Sequence, residues 1–296
     1  MSTTPVLQAE HLVKEFPVAG SGGLVTRGRT FRAVDDVSLT VAAGETLALV
    51  GESGSGKSTT ARLVARLIDV TSGTVRFDGQ DVTGLSGRDL HAFRREVQVV
   101  FQDPYSSLNP RHTVERIVTA PLLYQGRKPP GGSKRFTQSL MERVGLDPNQ
   151  WQRHPAQFSG GQAQRIGIAR ALAVGPRLVV CDEAVSALDV SVQAQIINLL
   201  RELQREEGFS YLFIAHDLAV VRQIATRVAV MSGGRIVEAG DRDSVFDHPQ
   251  HEYTRTLLGA VPRIRPEWEA ARRTRAAERL AVRREPLDAS PARTGA

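Results

Sequence analysis

Short, mostly apolar runs recur along the chain, each bounded by polar residues. The clearest are residues 46–50, 97–101, 178–181 and 211–215. Such runs are typical of strands that are buried on both faces of a sheet. None approaches the roughly 18–20 apolar residues that a membrane-spanning helix needs. The N-terminal residues also lack the basic and then apolar pattern of a secretory signal, so we expect any membrane segment to belong to another chain.

Apolar residues at helical spacing alternate with these runs, at 61–68 and 192–203. Strands that alternate with helices predict a parallel sheet covered on both faces. Residues 103–172 differ, because they have few strand signals and two helical stretches, 111–123 and 133–144. We predict that they form a helical insertion into an α/β core. The Gly- and Pro-containing segments 17–30 and 127–132 are predicted to be exposed loops.

Composition changes this picture little. The 296 residues are 41% hydrophobic and have a formal net charge of +6. Seven arginines and three acidic residues lie in 271–296, so most of the excess is in the tail. No aromatic residues alternate with these arginines to stack on bases, and we favour a solvated tail over a nucleic-acid site. The single cysteine, Cys181, forms no intrachain disulfide and is predicted to be a small core residue.

A glycine-rich loop follows the first apolar run. Residues 51–58 match the pattern G-x-x-x-x-G-K-[ST], with Gly51, Gly56, Lys57 and Ser58 at its fixed positions. Glycines allow successive backbone N–H groups to face phosphate oxygens, and the following helix offers its positive end. Lys57 is suited to the β- and γ-phosphates and the Ser58 hydroxyl to Mg²⁺. A preceding strand and a following helix favour this reading over a chance Gly/Ser turn.

Two acidic residues end the third apolar run, Asp182 and Glu183. The carboxyl edge of a parallel sheet is where ligands bind in such folds. We expect Asp182 to hold Mg²⁺ through water and Glu183 to orient the attacking water.

The segment 158–162, Phe-Ser-Gly-Gly-Gln before a helix, resembles the signature loop of the ABC ATPases. Phe158 stands where that family usually has leucine, and Ala163 where it often has a basic residue. Further elements follow in the family's order: Gln102 resembles the Q-loop, residues 186–189 the D-loop and His216 the switch histidine. Phe16 resembles the aromatic residue that stacks on adenine, although a core role is an alternative.

The resemblance covers about residues 6–262. It implies a P-loop NTPase core, namely a RecA-like parallel sheet with an N-terminal antiparallel β region, and an inserted α-helical subdomain at about 103–172. It implies a C-terminal extension over 245–296 and the cofactors ATP and Mg²⁺. In such enzymes two chains pair head to tail, so the signature loop of one caps the γ-phosphate on the other.

These arguments give three sets of predicted site residues. The catalytic set is Glu183, His216, Gln102 and Lys57. The nucleotide-binding set is Phe16, Gly51, Glu52, Ser53, Gly54, Ser55, Gly56, Lys57, Ser58, Thr59, Ser159, Gly160, Gly161, Gln162 and Asp189. The metal set is Ser58, Gln102 and Asp182.

Within the family, the chain resembles the ATPases of the bacterial peptide/nickel importers in three segments, 101–111, 189–195 and 251–262. These importers usually carry two different ATPases, and the chain resembles the second of them in residues 15–18, Tyr105 and residues 183–187. The implied partners are a second ATPase subunit, two transmembrane permeases and an extracytoplasmic solute-binding protein, at the cytoplasmic face of the membrane, with no nucleic acid. The second ATPase is expected to be a different chain, and an identical one stays open as the alternative. ATP hydrolysis at the shared site is expected to drive the uptake of oligopeptides or dipeptides, and nickel, glutathione and opines stay open as other solutes. Alternatives are a soluble ABC ATPase not coupled to transport, an exporter cassette and a non-hydrolysing partner.

Overall fold

The computed structural model describes residues 5–18 and 30–260. The chain divides into a compact unit, Met1–Leu258, and a C-terminal unit, Gly259–Ala296. Most of the predicted loop at 17–30 and the whole arginine-rich tail lie outside the described residues. None of the described helices is long and apolar enough to cross a membrane.

Ten strands and ten helices make up the described part of the chain. The strands are β1 (Leu7–Pro17), β2 (Thr30–Val41), β3 (Thr46–Val50), β4 (Ser72–Phe77), β5 (Gln80–Asp81), β6 (Val97–Val100), β7 (Leu178–Asp182), β8 (Ser210–Ala215), β9 (Arg227–Ser232) and β10 (Arg235–Asp241). The helices are α1 (Lys57–Val64), α2 (Gly87–Glu96), α3 (Pro104–Ser107), α4 (Val114–Tyr124), α5 (Ser133–Arg143), α6 (Gly160–Leu172), α7 (Val190–Glu207), α8 (Leu218–Ile224), α9 (Arg242–Asp247) and α10 (Glu252–Gly259), with one-turn helices at Pro148–Gln150 and Pro155–Gln157.

The apolar runs form the centre of a six-stranded sheet with the order β10-β9-β3-β8-β7-β6. Its pairs are parallel except for the β9–β10 hairpin. Every residue of β3, β7 and β8 is buried, which explains why these strands read as continuous apolar runs without alternation. Parallel pairing brings the carboxyl ends of β3, β7 and β8 to one edge, and the loops that follow them carry the predicted site residues.

An antiparallel sheet with the order β2-β1-β4-β5 accompanies the parallel sheet. The two sheets share a single hydrophobic core, in which Leu12 and Val34 of the first sheet are clustered with Leu49 and Leu212 of the second. The predicted fold class, a parallel core with an N-terminal antiparallel region and inserted helices, is confirmed.

The helices α3 to α6 lie between β6 and β7, where the helical insertion was predicted. The element bounds shift by a few residues. Helix α1 ends at Val64 although the apolar pattern continues to residue 68, because Arg66 takes a left-handed φ of 53°. The buried Arg66 guanidinium donates to the carbonyls of Val82 and Leu85, which satisfies its donors outside any helix.

Candidate functional site

The loop 51–56 joins the buried end of β3 to helix α1. Two of its glycines are required by close backbone contacts. A Cβ atom on Gly51 would lie 2.1 Å from the Met231 carbonyl oxygen, and one on Gly56 would lie 2.4 Å from that of Ala33. Both residues also have a positive φ, 150° and 105°. Any larger residue would displace the loop, so the spacing of the glycines follows from the packing of the loop.

Lys57 is the first residue of α1 and only 4% exposed. Its Nζ donates to the carbonyl oxygens of Gly51 at 2.9 Å and Glu52 at 2.7 Å. Burial lowers the pKa of this ammonium, while the nearby Glu183, Asp182 and Glu52 act in the opposite direction. The cation thus bridges the loop from inside, beside two carboxylates that belong to the end of β7.

Ser58 and Asp182 meet beneath the loop, where the Ser58 hydroxyl donates to Asp182 Oδ1 at 2.7 Å. Within the described part of the chain there is no group of three or more His, Cys, Asp or Glu side chains that could hold a metal. A hydroxyl and one carboxylate are too few for a site made of protein alone. They fit Mg²⁺, which usually keeps several waters and is shared with the phosphates of its nucleotide.

Glu183 follows Asp182 with a left-handed φ of 51°, an uncommon conformation for a residue with a side chain that often marks functional sites. Its N–H donates to the Ile214 carbonyl, and its own carbonyl accepts from Ser186. These bonds hold the backbone in the turn. The carboxylate Oε2 lies 3.6 Å from Nδ1 of His216, which follows β8. The predicted water-orienting acid and switch histidine are therefore neighbours.

A cleft of about 500 Å³ opens in front of the loop. It is lined by Phe16, Phe31, Ala33, Ser53, Gly54, Gly56, Lys57, Ser58, Thr59, Gln102 and Glu183. The cleft thus brings together members of all three predicted sets. Gln102 reaches it from the turn after β6, which places an amide beside the loop and the acidic strand end.

Phe31 was missed by the sequence reasoning. It pairs across the antiparallel sheet with Phe16, and the side chains are 57% and 38% exposed. Two exposed aromatic rings at one mouth of a polar cleft form an apolar surface on which a flat ring can stack. The signal that would reveal Phe31 is its pairing with Phe16 in the β1–β2 register. The two residues stand on either side of residues 18–29, and the local sequence pattern does not give the register across that segment.

The signature residues lie elsewhere. Ser159 caps α6 with a reciprocal pair of bonds, since Gln162 N–H donates to its hydroxyl and Gln162 Oε1 accepts from its N–H. A Cβ on Gly161 would lie 2.5 Å from a Val192 methyl carbon, so α6 approaches the start of α7 closely there. None of residues 159–162 lines the cleft. Asp189, before α7, is likewise exposed and outside it.

Comparisons with known proteins agree with this geometry. A family model described as "ABC transporter" matches residues 34–186, just over half of the chain. A second, "Oligopeptide/dipeptide transporter, C-terminal region", matches residues 237–286. A probable peptide ABC transporter ATP-binding protein, y4tS of Sinorhizobium fredii, is 53% identical over 87% of this chain and 72% of its own length.

The glutathione import ATP-binding protein GsiA of Escherichia coli is 52% identical over 91% of this chain. The match covers 43% of the length of GsiA, so this chain spans less than half of that protein. Among solved structures, the dimeric ATP-binding cassette MJ0796 bound to ADP and Pi is 28% identical with a TM-score of 0.69, over 80% of this chain and 98% of that one. The cassette cbiO1 from Clostridium perfringens is 25% identical with a TM-score of 0.70, over 88% and 97% of the two chains.

The fold, the cleft and these matches define an ATP-binding cassette. The chain belongs to the ABC transporter family, as an ATP-binding subunit that hydrolyses ATP. The alternative of a soluble ATPase not coupled to transport has no support among these matches.

Proposed function

We propose that the chain binds MgATP in the cleft in front of Gly51–Ser58 and hydrolyses it at a site shared with a second ATPase subunit, to drive solute uptake. The observation that carries the proposal is the convergence of Lys57, Ser58 and Glu183 on one cleft while residues 159–162 lie outside it. One chain therefore supplies the phosphate loop and the acids of one site and the signature residues of another.

Each residue has a role that its position supports. Phe16 and Phe31 stack on the base, and Lys57 neutralises the phosphate charge. Glu183 orients the attacking water, and His216, 3.6 Å from its carboxylate, stabilises charge at the γ-phosphate. Positioning and electrostatic stabilisation account for most of the rate of phosphoryl transfer.

Mg²⁺ would be held by Ser58, Gln102 and Asp182, the last through water. When bound, it would neutralise charge on the phosphate oxygens. The 2.7 Å bond between Ser58 and Asp182 keeps their two side-chain oxygens together, and Ser58 lines the cleft.

The face next to the D-loop is suited to a second cassette. Val190, directly after Asp189, is 82% exposed, which is high for an aliphatic side chain. It begins α7, whose Val192 lies close to Gly161 of α6. The solved cassette MJ0796, similar to this chain, is described as a dimer. Head-to-tail pairing would place Ser159–Gln162 over the γ-phosphate bound by the other subunit, which we propose to be a different chain.

Three exposed side chains of the helical insertion suit contacts with a permease. Tyr105 of α3 and Leu123 and Tyr124 of α4 are 45%, 53% and 76% exposed. They lie on the helices that follow Gln102 in the chain, so a permease seated there would be linked to the nucleotide cleft. The partners would then be two permeases and a solute-binding protein, with this chain at the cytoplasmic face of the membrane.

The solute proposed is an oligopeptide or dipeptide, because y4tS is named for peptides and the second family model for oligopeptides and dipeptides. Glutathione, itself a tripeptide, is the second candidate, since GsiA is named for it. The test is to co-purify the chain with the permeases, solute-binding protein and ATPase encoded beside it, and to reconstitute them in liposomes. ATP-dependent uptake of radiolabelled peptides is expected; turnover with no uptake of peptides or glutathione would contradict the proposal.

A further inference from the structure

The phosphate loop is braced from outside by the C-terminal part of the compact unit. The N–H of Gly234, in the β9–β10 turn, donates to the Ser55 carbonyl at 3.0 Å, and the Gly234 carbonyl accepts from Asp35 N–H at 2.8 Å. The other brace comes from α10, where the Tyr253 hydroxyl oxygen accepts from the N–H of Glu52 at 3.0 Å. Two points of the loop, Glu52 and Ser55, thus depend on Tyr253 and Gly234. These partners lie 201 and 179 positions further along the chain.

The second brace acts on one particular peptide unit. The peptide between Gly51 and Glu52 gives its N–H to Tyr253, and its carbonyl oxygen, that of Gly51, accepts from Lys57 Nζ at 2.9 Å. Its orientation is therefore fixed from both sides. If Lys57 turned towards phosphate oxygens, it would leave the Gly51 carbonyl, and the bond to the Tyr253 hydroxyl would then keep this peptide in place.

The tyrosine is itself held firmly. Glu238 of β10 accepts from the N–H groups of Gln250 and His251 at 2.8 and 3.0 Å. The N–H of Tyr253 donates to His251 Nδ1 at 3.1 Å. The start of α10 is thus tied to β10, the edge strand of the six-stranded sheet. These bonds hold the backbone of Tyr253 in place, and its hydroxyl reaches the loop. Glu238 and Tyr253 both belong to the stretch that matches the peptide-transporter C-terminal model.

We propose that Tyr253 is a positioning residue for the phosphate loop and that the segment 248–258 responds to the nucleotide through it. The inference rests on the proposed role of Gly51–Ser58 in phosphate binding. Without the hydroxyl, the Gly51–Glu52 peptide must be ordered at the moment of binding, and affinity falls. Because coupling between two sites is reciprocal, nucleotide binding must in turn change the stability of α10.

The test is equilibrium binding of ATP carrying a fluorescent N-methylanthraniloyl group, with Mg²⁺ and the full chain. Tyr253→Phe should weaken binding about three- to tenfold, the loss of one net hydrogen bond. The matched control is Tyr211→Phe, which removes a hydroxyl that donates to the Leu200 carbonyl at 3.1 Å, at the start of β8 and away from the cleft. The control should bind as the wild type does, whereas equal affinity of Tyr253→Phe and wild type overturns the proposal.

Hydrogen exchange of residues 248–258 gives the second readout. In the wild-type chain the nucleotide should slow exchange there, and in Tyr253→Phe it should not. Glu238→Gln, which weakens the anchor of α10, should lower affinity in the same direction as Tyr253→Phe. If the nucleotide does not change the exchange rate of residues 248–258 in the wild-type chain, the proposed coupling is overturned. A wild-type chain that fails to bind the nucleotide would overturn the proposed site as well, so the two failures are distinguishable.

Discussion

At the scale of single residues, the site holds its charges in place before any ligand binds. Lys57 is nearly buried and donates to two neutral carbonyls, while Ser58 donates to Asp182. Phosphate oxygens would replace the neutral acceptors of Lys57 by anionic ones, which are stronger partners. On the proposed function, the binding energy would come from exchanging contacts within a loop that is already formed, with little backbone ordering to offset it.

Lys57→Ala tests this exchange. Loss of the cation should weaken ATP binding by about 10- to 100-fold, the range expected for a hydrogen bond to a charged group. Equilibrium binding of labelled nucleotide measures it. Lys134→Ala is the control, because that exposed lysine lies over the Trp151 ring, away from the cleft. Wild-type affinity in Lys57→Ala would refute the assignment of the phosphate loop.

Glu183→Gln separates binding from chemistry. The amide keeps the shape of the side chain but no longer orients and polarises the water as a carboxylate does, so turnover should fall about 100-fold or more while nucleotide affinity is kept. Glu202→Gln, on the exposed side of α7, is the matched control. Normal turnover in Glu183→Gln would mean that another group activates the water.

Cys181 should be inert in the folded protein. It is fully buried on β7, and burial, with Asp182 next to it, raises the pKa of its thiol far above the usual range. Because the thiolate is the reactive form, a maleimide should label the chain only after denaturation. Rapid labelling of the native protein would contradict the burial of β7.

At the scale of elements, the sequence predicted the strands and the loop whose signals lie in consecutive residues. The runs that became β3, β7 and β8 were readable because both faces are buried. The glycine loop was readable because its sequence matches a known phosphate-binding pattern, and the packing of the loop requires glycine at two of the positions in that pattern. The contributions of Phe31 and Tyr253 were not readable, because each depends on a partner in another element. Phe31 pairs with Phe16 on the neighbouring strand, and Tyr253 of α10 accepts from Glu52 in the loop after β3.

Helix α3 links an exposed part of the insertion to the segment just before residues 159–162. The Tyr105 hydroxyl donates to the Phe158 carbonyl at 2.8 Å, directly before the signature residues, and part of its ring is exposed. Tyr105→Ala should therefore impair solute uptake several-fold in the reconstituted system and leave nucleotide affinity within about twofold, since no residue of the cleft is touched. Tyr105→Phe, which keeps the ring, separates the surface contact from the hydrogen bond. Equal loss of uptake and affinity would refute a coupling role.

At the scale of the whole molecule, the separation of the signature residues from the cleft is the central feature. Within residues 5–18 and 30–260, the chain has a complete phosphate loop, and residues 159–162, the proposed cap of the γ-phosphate, do not line its cleft. Ser159→Arg should therefore damage the site whose phosphate loop belongs to the partner subunit and leave the binding of nucleotide by its own chain intact. Ser86→Arg, at the start of α2 where the serine makes no capping bond, controls for a bulky cation at a helix N-terminus.

The most direct test is the ATPase rate per chain, measured against concentration with this chain alone and mixed with its partner ATPase and permeases. A composite site predicts a low rate for the dilute chain, and a rise with concentration or with the partner that Ser159→Arg suppresses. A rate that is high and independent of both concentration and partner would contradict the composite site.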